Sequence, residues 1–238
     1  TKDNHIYKKK NNSIYVDFSD EKRIYPFLCL LKSYFFYIEE DSVNIIWGKR
    51  KIEVTNTLID KTIIIENIMS SEFIKSQANL FDVESEMPID GHIKILSVGR
   101  FCTAKAFDEA VVSCSILVKR GYKIKWYLIG YGPDEWLIRE KIQELSMKEN
   151  MIILGKKDNP YPYIKACDIY AQPSRYEGKA VTVTEAQILN KPVLITRYAT
   201  ATSQVKEGID GYICDMGAIG VADGLEYLIN HEEIRERL

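Results

Sequence analysis

Apolar residues in the second part of the chain fall into six short runs. The runs read IKILSV, KIKWYLIG, MIILG, DIYAQ, PVLIT and GYIC, all after His92. The segments between them carry apolar residues at helical spacing, so strands alternate with helices. Parallel strands need crossover connections, and helices supply these. We therefore predict an α/β fold for residues 92–238, with a Rossmann-like, doubly wound parallel sheet covered by helices on both faces.

The first 84 residues show a weaker α/β alternation. The runs IYVDF, VNIIW and TIIIE (62–66) are predicted as strands, with a helix over 26–39 and a short helix between the second and third strands. The stretch SEMPIDG (85–91) is rich in turn-forming residues and is predicted to be a linker. The chain is therefore expected to hold a partial N-terminal α/β region over 1–84 and a larger C-terminal domain over 92–238.

Composition excludes several classes of protein. The chain has 238 residues, 46% of them hydrophobic, and a net charge of −2, so no general attraction to nucleic acid is expected. The basic run 8–10 is predicted to be a solvated terminus. The most apolar segment, 27–38, is shorter than the roughly 20 residues of a membrane-spanning helix. It is predicted to be a core helix, with a membrane-facing helix as the alternative.

Cysteine and histidine usage predicts neither disulfides nor a structural metal site. The five cysteines have no CxxC spacing, and the three histidines are scattered. Reduced, buried thiols are typical of a cytosolic protein. No secretory signal is visible at the start of the sequence, and we expect a cytoplasmic location.

Two carboxylates, Glu177 and Glu185, have seven residues between them and lie between the runs DIYAQ and PVLIT. They therefore follow the carboxyl end of a predicted strand, which is the edge where parallel sheets bind ligands. Apolar neighbours make a bare carboxylate at Glu185 unfavourable unless it is hydrogen-bonded, and ligand hydroxyls would serve. The alternative is a glutamate on a helix surface or one paired with a lysine.

Two cations follow the first run of the C-terminal part. Arg100 presents a planar fork and Lys105 a compact charge, and a predicted helix begins beside them. Together with helix amides they suit a diphosphate, although two solvated surface residues are the alternative. After the second run, Gly130 and Gly132 would let a ligand approach the backbone, unless they only form a turn.

Other kinds of chemistry have little support in the sequence. The histidines allow no plausible Ser/His/Asp order, and neither an HExxH motif nor a phosphate-binding Walker lysine loop is present. The GxG at Gly130 does not extend to GxGxxG, which weakens a nicotinamide-binding interpretation.

Four segments together resemble a known family. VGRFCTAK, LIGYGP, ACDIYAQPSRYEGKAVTVTEAQILNKPVL and EGIDGYIC are similar, in this order, to the C-terminal domain of GT-B fold retaining glycosyltransferases of family 4. Many members act in capsular or other surface polysaccharide synthesis. The resemblance covers residues 93–238, and TIIIENIMSSEFI (62–74) resembles the segment that closes the family's N-terminal, acceptor-side domain.

The resemblance implies transfer of a sugar from a UDP- or GDP-sugar to a saccharide or lipid-linked acceptor, without metal or other cofactor. Arg100 and Lys105 would hold the donor diphosphate, and Glu185 the ribose. Glu177 would be the catalytic residue at the donor sugar. The sugar would also meet Gly178, Lys179 and Ala180, amides of Val181 and Thr182 would reach phosphate, and Gly130 and Gly132 would form a nucleotide loop.

Three positions depart from the family pattern. Ala106 replaces a usual glycine, the loop usually reading EGFG or EGQP reads EGKA, and Phe18 stands at an apparent histidine position. Residues 1–84 are also fewer than the complete acceptor-binding domain of the family would need. Two other functions stay open: a donor-binding subunit that needs a partner acceptor domain, and a nucleotide-sugar epimerase of GT-B fold. Contact with the inner face of the membrane, and a place near the base for Lys156 and Lys157, stay open as well.

Overall fold

The structure is a computed structural model that describes residues 7–10, 13–17, 42–47, 50–55 and 70–238. Contacts divide the chain into two compact units, Thr1–Asn67 and Ile68–Leu238. The strands of the first unit are β1 (Tyr7–Lys10), β2 (Ser13–Asp17), β3 (Ser42–Trp47) and β4 (Arg50–Thr55).

The four strands of the first unit form a mixed sheet in the order β1-β2-β3-β4. The β2–β3 pair is parallel, and the two outer pairs are antiparallel. The strands predicted from IYVDF and VNIIW are confirmed, whereas the basic run 8–10 lies in a strand that was not predicted. The short helix expected after VNIIW is wrong over 50–55, where β4 pairs with β3 instead. The predicted helix over 26–39 and strand over 62–66 lie outside the described residues.

The second unit alternates strands and helices along its length. Its strands are β5 (Ile93–Val98), β6 (Ile124–Ile129), β7 (Met151–Gly155), β8 (Ile169–Gln172), β9 (Val193–Thr196) and β10 (Tyr212–Cys214). Its helices are α1 (Ser71–Gln77), α2 (Phe107–Lys119), α3 (Glu135–Glu144), α4 (Tyr161–Ala166), α5 (Val181–Ile188), α6 (Ala201–Gln204), α7 (Gly217–Asn230) and α8 (Glu232–Arg237), and a 3-10 turn spans Thr103–Lys105.

The six strands of the second unit form one sheet in which every pairing is parallel, in the order β10-β9-β8-β5-β6-β7. All six predicted apolar runs are confirmed as these strands. The chain builds outward from β5 in one direction as far as β7, and then returns to β8 on the other side of β5. In an open parallel sheet this switch point opens a crevice at the carboxyl ends of the two central strands.

Two buried layers of side chains cover the sheet, which confirms the doubly wound architecture. Period-two alternation sends Trp126 into one layer and Tyr127 into the other, and both are fully buried. The first layer includes apolar residues of α2, α3 and α7, and the second includes residues of α4 and α5.

The second unit begins earlier than the domain predicted at residue 92. Met87, inside the predicted linker, is 1% exposed, and Ile74 of α1 is buried as well. Glu86 accepts hydrogen bonds from Lys157 Nζ and the Tyr163 hydroxyl, both at 2.5 Å. The stretch 85–91 is therefore anchored to this unit through buried Met87 and hydrogen-bonded Glu86, although most of its other residues are exposed.

Three cysteines of the second unit, Cys114, Cys167 and Cys214, are buried, and burial raises the pKa of each thiol to about 12. These thiols are therefore poor nucleophiles at neutral pH.

Within the described part of the chain, no helix has both the length and the apolar character needed to cross a bilayer.

Candidate functional site

Two loops meet at the switch point of the sheet, and the ligand-binding crevice expected there is the space between them. The first follows β5 and runs through the 3-10 turn to α2, over residues 99–106. The second follows β8 and runs to α5, over residues 173–180. Since β5 and β8 pair directly and in parallel, both loops leave the same edge of the sheet. The predicted cations lie on the first loop, and Glu177 lies on the second.

The structure brings Lys105 and Glu177 into contact. The ammonium nitrogen of Lys105 lies 2.6 Å from Oε1 of Glu177, and the side chains are only 19% and 10% exposed. The same carboxylate oxygen accepts a hydrogen bond of 2.6 Å from the hydroxyl of Ser174. The Thr200 hydroxyl donates to the backbone carbonyl of Glu177 at 2.8 Å. The side chain and backbone of Glu177 are therefore both held in place.

A chain of buried polar groups supports this carboxylate from the end of β8. The hydroxyl of Tyr170 donates to Oε1 of Gln172 at 3.0 Å, and the amide nitrogen of Gln172 donates to the Ser174 hydroxyl at 2.9 Å. All three side chains are fully buried. These three residues were not predicted as part of the site, although a glutamine in an otherwise apolar strand is a signal, because a buried amide needs partners.

Arg175 connects the two loops. Its backbone amide donates to the carbonyl of Ala104 at 2.8 Å, and its guanidinium donates to the Thr103 carbonyl at 2.9 Å. The guanidinium also forms a bidentate pair with Asp108, at 2.9 and 2.7 Å, and reaches Glu109 at 3.0 Å. This residue was not predicted, because its acceptors lie far away in the sequence.

Arg100 is exposed at the carboxyl end of β5, and its side chain has no hydrogen-bond or ion-pair partner among residues 70–238. The neighbouring Gly99 lies against the aliphatic part of the Lys105 side chain. A Cβ built on Gly99 would lie 3.2 Å from Lys105 Cε. Ala106 has φ 53° and ψ 37°, a left-handed conformation that glycine adopts more easily. The backbone at Ala106 therefore has the left-handed conformation that the glycine of the family pattern would adopt without strain.

The structure gives Gly130 and Gly132 a role in loop packing. A Cβ at Gly130 would lie 1.9 Å from the carbonyl oxygen of Gly99, and one at Gly132 would lie 2.2 Å from that of Phe101. The amide of Phe101 also donates to the carbonyl of Tyr131 at 2.9 Å. The space at both glycines is thus filled by the chain's own backbone. Their role in a nucleotide loop stays a prediction.

Helix α5 begins in the second loop with little capping. No side chain caps its N-terminus, and the Ala180 amide before it is paired with Gln204 Oε1 at 3.0 Å. Val181 is exposed, and the Thr182 hydroxyl makes a long contact of 3.5 Å to Gln172. An uncapped helix start carries partial positive charge, which favours an anion. Gly178 and Lys179, just before it, are exposed.

Glu185 lies one helical turn further along α5 and is 8% exposed. One of its carboxylate oxygens accepts a hydrogen bond of 3.0 Å from the hydroxyl of Tyr161, at the start of α4. Burial raises the pKa of Glu185, and the Tyr161 bond opposes that shift only in part. The alternative of a glutamate paired with a lysine is wrong within the described residues, because the partner is a tyrosine.

The two lysines after β7 differ in their surroundings. Lys157 is bound to Glu86 and lies over the ring of Tyr163, with its ammonium 5.2 Å from the ring centre. Lys156 is 66% exposed and lies 3.5 Å from Asp158. Lys157 therefore serves the packing of residues 83–87.

Among the described residues, no three His, Cys, Asp or Glu side chains are grouped so as to hold a metal ion.

The fold and crevice belong to a known class of enzyme domain. The chain matches the family model of the Glycosyl transferases group 1 over residues 82–238, which is more than half of its length. The chain therefore belongs to this family, and the resemblance seen in the sequence is confirmed.

Two curated relatives illustrate the match. The chain is 28% identical over 199 residues to the capsular polysaccharide biosynthesis glycosyltransferase CapM of Staphylococcus aureus, covering 80% of this chain and 52% of the relative. It is 24% identical over 207 residues to N-acetyl-alpha-D-glucosaminyl L-malate synthase of Bacillus anthracis, covering 85% and 54%. The chain thus spans about half the length of the curated relatives it matches.

A solved structure confirms the fold class. HepE from Anabaena, determined in complex with UDP, superposes with a TM-score of 0.65 and 15% sequence identity. The superposition covers 75% of this chain and 50% of HepE. The α/β architecture is that of GT-B glycosyltransferases.

Proposed function

We propose that the crevice between the two loops binds a nucleoside diphosphate sugar and that the chain supplies the donor side of a retaining glycosyltransferase. The observation that carries the proposal is the contact between Lys105 and Glu177 at the switch point of the sheet. A cation and an acid from two different loops meet where parallel sheets bind ligands. The UDP bound by HepE supports the class of ligand.

The diphosphate would lie against Arg100 and Lys105. Arg100 is exposed at the end of β5, and Lys105 would exchange its bond to Glu177 for a phosphate oxygen. The amides of Val181 and Thr182 at the uncapped start of α5 would add donors. These groups stabilise the negative charge that develops on the leaving diphosphate, so in this proposal no metal ion is needed there.

The sugars at the two ends of the donor would meet the two acids. Glu185 is buried and binds Tyr161 through one oxygen, and ribose hydroxyls would donate to its carboxylate. Glu177 would accept hydrogen bonds from hydroxyls of the donor sugar, with the exposed Gly178 and Lys179 and the buried Ala180 beside it. Gly130 and Gly132 would border the nucleotide through their backbone.

The reaction breaks the bond between the sugar and the diphosphate and forms a bond from the same carbon to an acceptor hydroxyl. The acceptor attacks from the face that the diphosphate leaves, so the anomeric configuration is retained. By analogy with CapM, we propose that the acceptor is a saccharide or lipid-linked saccharide of a surface polysaccharide, used on the cytoplasmic side of the membrane.

A screen of donors tests this function. UDP-glucose, UDP-N-acetylglucosamine and GDP-mannose are added to the whole chain, and the melting temperature is followed. A ligand that binds only the folded state raises the apparent stability, by about 2.7 kcal/mol at a hundred times its Kd. We expect at least one donor to stabilise the chain, with no requirement for a divalent metal.

The products then separate the possible activities. Transfer to an added acceptor with retained configuration supports the proposal, whereas a changed sugar formed without any acceptor indicates an epimerase. Binding without transfer or hydrolysis indicates a donor-binding subunit that needs a partner. No stabilisation by any donor, nor by UDP or GDP, would contradict the proposal.

A further inference from the structure

We infer that Arg175 is a positioning residue, which fixes the two crevice loops relative to each other so that Lys105 and Glu177 reach one ligand. This inference rests on the proposed function, because the ligand is the nucleoside diphosphate sugar. It adds a residue that neither the resemblance nor the sequence pattern assigned.

The position of Arg175 in the second loop makes it suitable for this role. It follows Ser174 and precedes Glu177 by two residues. Its backbone amide binds Ala104, and its guanidinium binds the carbonyl of Thr103, so both contacts fall within two residues of Lys105. One residue therefore connects the backbone that carries the acid to the backbone that carries the cation.

The guanidinium extends the connection to helix α2. Its remaining terminal N–H groups bind both oxygens of Asp108 and one oxygen of Glu109, in the first turn of that helix. Burial raises the pKa of Asp108, but the hydrogen bonds and charge of Arg175 outweigh burial, so this pKa lies below its ordinary value. Bidentate pairs of this kind fix direction as well as distance.

These contacts use four acceptor atoms for the four terminal N–H groups of Arg175. The protein itself thus supplies an acceptor for each terminal donor of Arg175, whereas Arg100 has no side-chain partner among residues 70–238. When a diphosphate draws Lys105 away from Glu177, the ion pair between the loops is lost, whereas the contacts of Arg175 do not involve the ligand. Arg175 thereby keeps the two loops aligned when the diphosphate is bound. Such a pre-organised site binds its ligand more tightly.

Variants of the whole chain test the inference. Arg175→Ala removes every side-chain contact, and Arg175→Lys keeps the charge but not the planar fork. Arg120→Ala is the matched control, because Arg120 also binds two carboxylates, Asp223 at 2.7 Å and Glu226 at 2.5 Å, and joins α2 to α7. Calorimetry with UDP and with GDP measures affinity, thermal melting measures stability, and hydrogen exchange reports on segments 99–106 and 173–180.

We expect Arg175→Ala to weaken nucleotide binding by about tenfold or more, and to speed exchange in both segments. Arg175→Lys should recover part of the affinity. Arg120→Ala should lower the melting temperature but leave affinity within about twofold, as for a site far from the ligand.

Two results would overturn the inference while the proposed function stands. One is that Arg175→Ala binds nucleotide and exchanges hydrogen as the wild type does. The other is that Arg120→Ala loses as much affinity as Arg175→Ala. If the wild-type chain binds neither UDP nor GDP, the proposed function itself fails, and the inference fails with it.

Discussion

The ammonium of Lys105 and the carboxylate of Glu177 form an ion pair of 2.6 Å across 72 positions of sequence. The pair is largely shielded from water, and Ser174 satisfies the same carboxylate oxygen. A shielded pair of this kind is strongly disturbed when one partner is removed, because the other charge loses its compensation. The pair therefore contributes to the stability of the two loops that it joins.

A double-mutant cycle measures this coupling. Lys105→Met and Glu177→Gln should each destabilise the chain, and the double variant should be less destabilised than the sum of the two. We expect a coupling energy of about 1–3 kcal/mol from urea unfolding. The exposed pair Lys141–Glu144 is the control, with an expected coupling below about 1 kcal/mol. Strict additivity at Lys105 and Glu177 would show that the two groups are not coupled in solution.

Glu185→Gln should stabilise the chain at neutral pH while weakening nucleotide binding. Burial raises the pKa of Glu185 above its ordinary value of 4.5, so ionisation is less favourable in the folded state. Stability therefore falls as pH rises from the unfolded pKa through the folded pKa, and stays lower above it. Glutamine can still accept the bond from Tyr161 but carries no buried charge.

Melting curves at two pH values check this prediction. The Glu185→Gln variant should melt higher than wild type at pH 7.5, by about 2–4 °C for each kcal/mol gained. The difference should vanish below pH 4, where both side chains are neutral. Affinity for UDP or GDP should fall by about tenfold or more, since a charged acceptor is lost. A variant that melts lower at pH 7.5, or binds nucleotide unchanged, would contradict the role of Glu185.

Ala106→Gly should stabilise the second unit. Ala106 is buried and has a left-handed backbone, which is unfavourable for a residue with a Cβ. The expected gain is about 1 kcal/mol or less, because the added freedom of glycine in the unfolded chain offsets part of the relief. Asn190→Gly is the control: Asn190 has the same φ of 53°, but asparagine tolerates this conformation. Equal gains at both sites would rule out backbone strain specific to Ala106.

Tyr127→Phe should leave stability unchanged or raise it slightly. Within the described residues, the Tyr127 hydroxyl is the one buried side-chain polar atom without a hydrogen-bond partner. Removing it deletes an unfavourable desolvated group. Tyr170→Phe is the matched comparison and should cost about 1–2 kcal/mol, because its hydroxyl bonds Gln172. A large loss of stability in Tyr127→Phe would indicate a partner such as an internal water.

Local pattern in the sequence was enough to predict the six strands of the second unit and the edge at which the candidate site lies. Contacts between distant residues were not predictable from it. Arg175 binds Asp108 across 67 positions, and Tyr161 binds Glu185 across 24. The pattern also predicted a linker at 85–91, because this stretch is rich in turn-forming residues. The burial of Met87 within it could not be read from that local pattern. Gly130 and Gly132, which follow β6, were predicted either to let a ligand approach the backbone or to form a turn. The close approach of the Gly99 carbonyl already requires a glycine at 130.

The central claim is that the crevice between β5 and β8 binds a nucleoside diphosphate through Lys105. Calorimetric titration of the whole chain with UDP and with GDP, repeated on Lys105→Met, tests it most directly. Lys141→Met serves as the control for loss of a lysine elsewhere. We predict that wild type and Lys141→Met bind at least one of the two nucleotides equally, and that Lys105→Met binds it at least about tenfold more weakly. Absence of binding to both nucleotides, or equal binding by Lys105→Met, would contradict the claim.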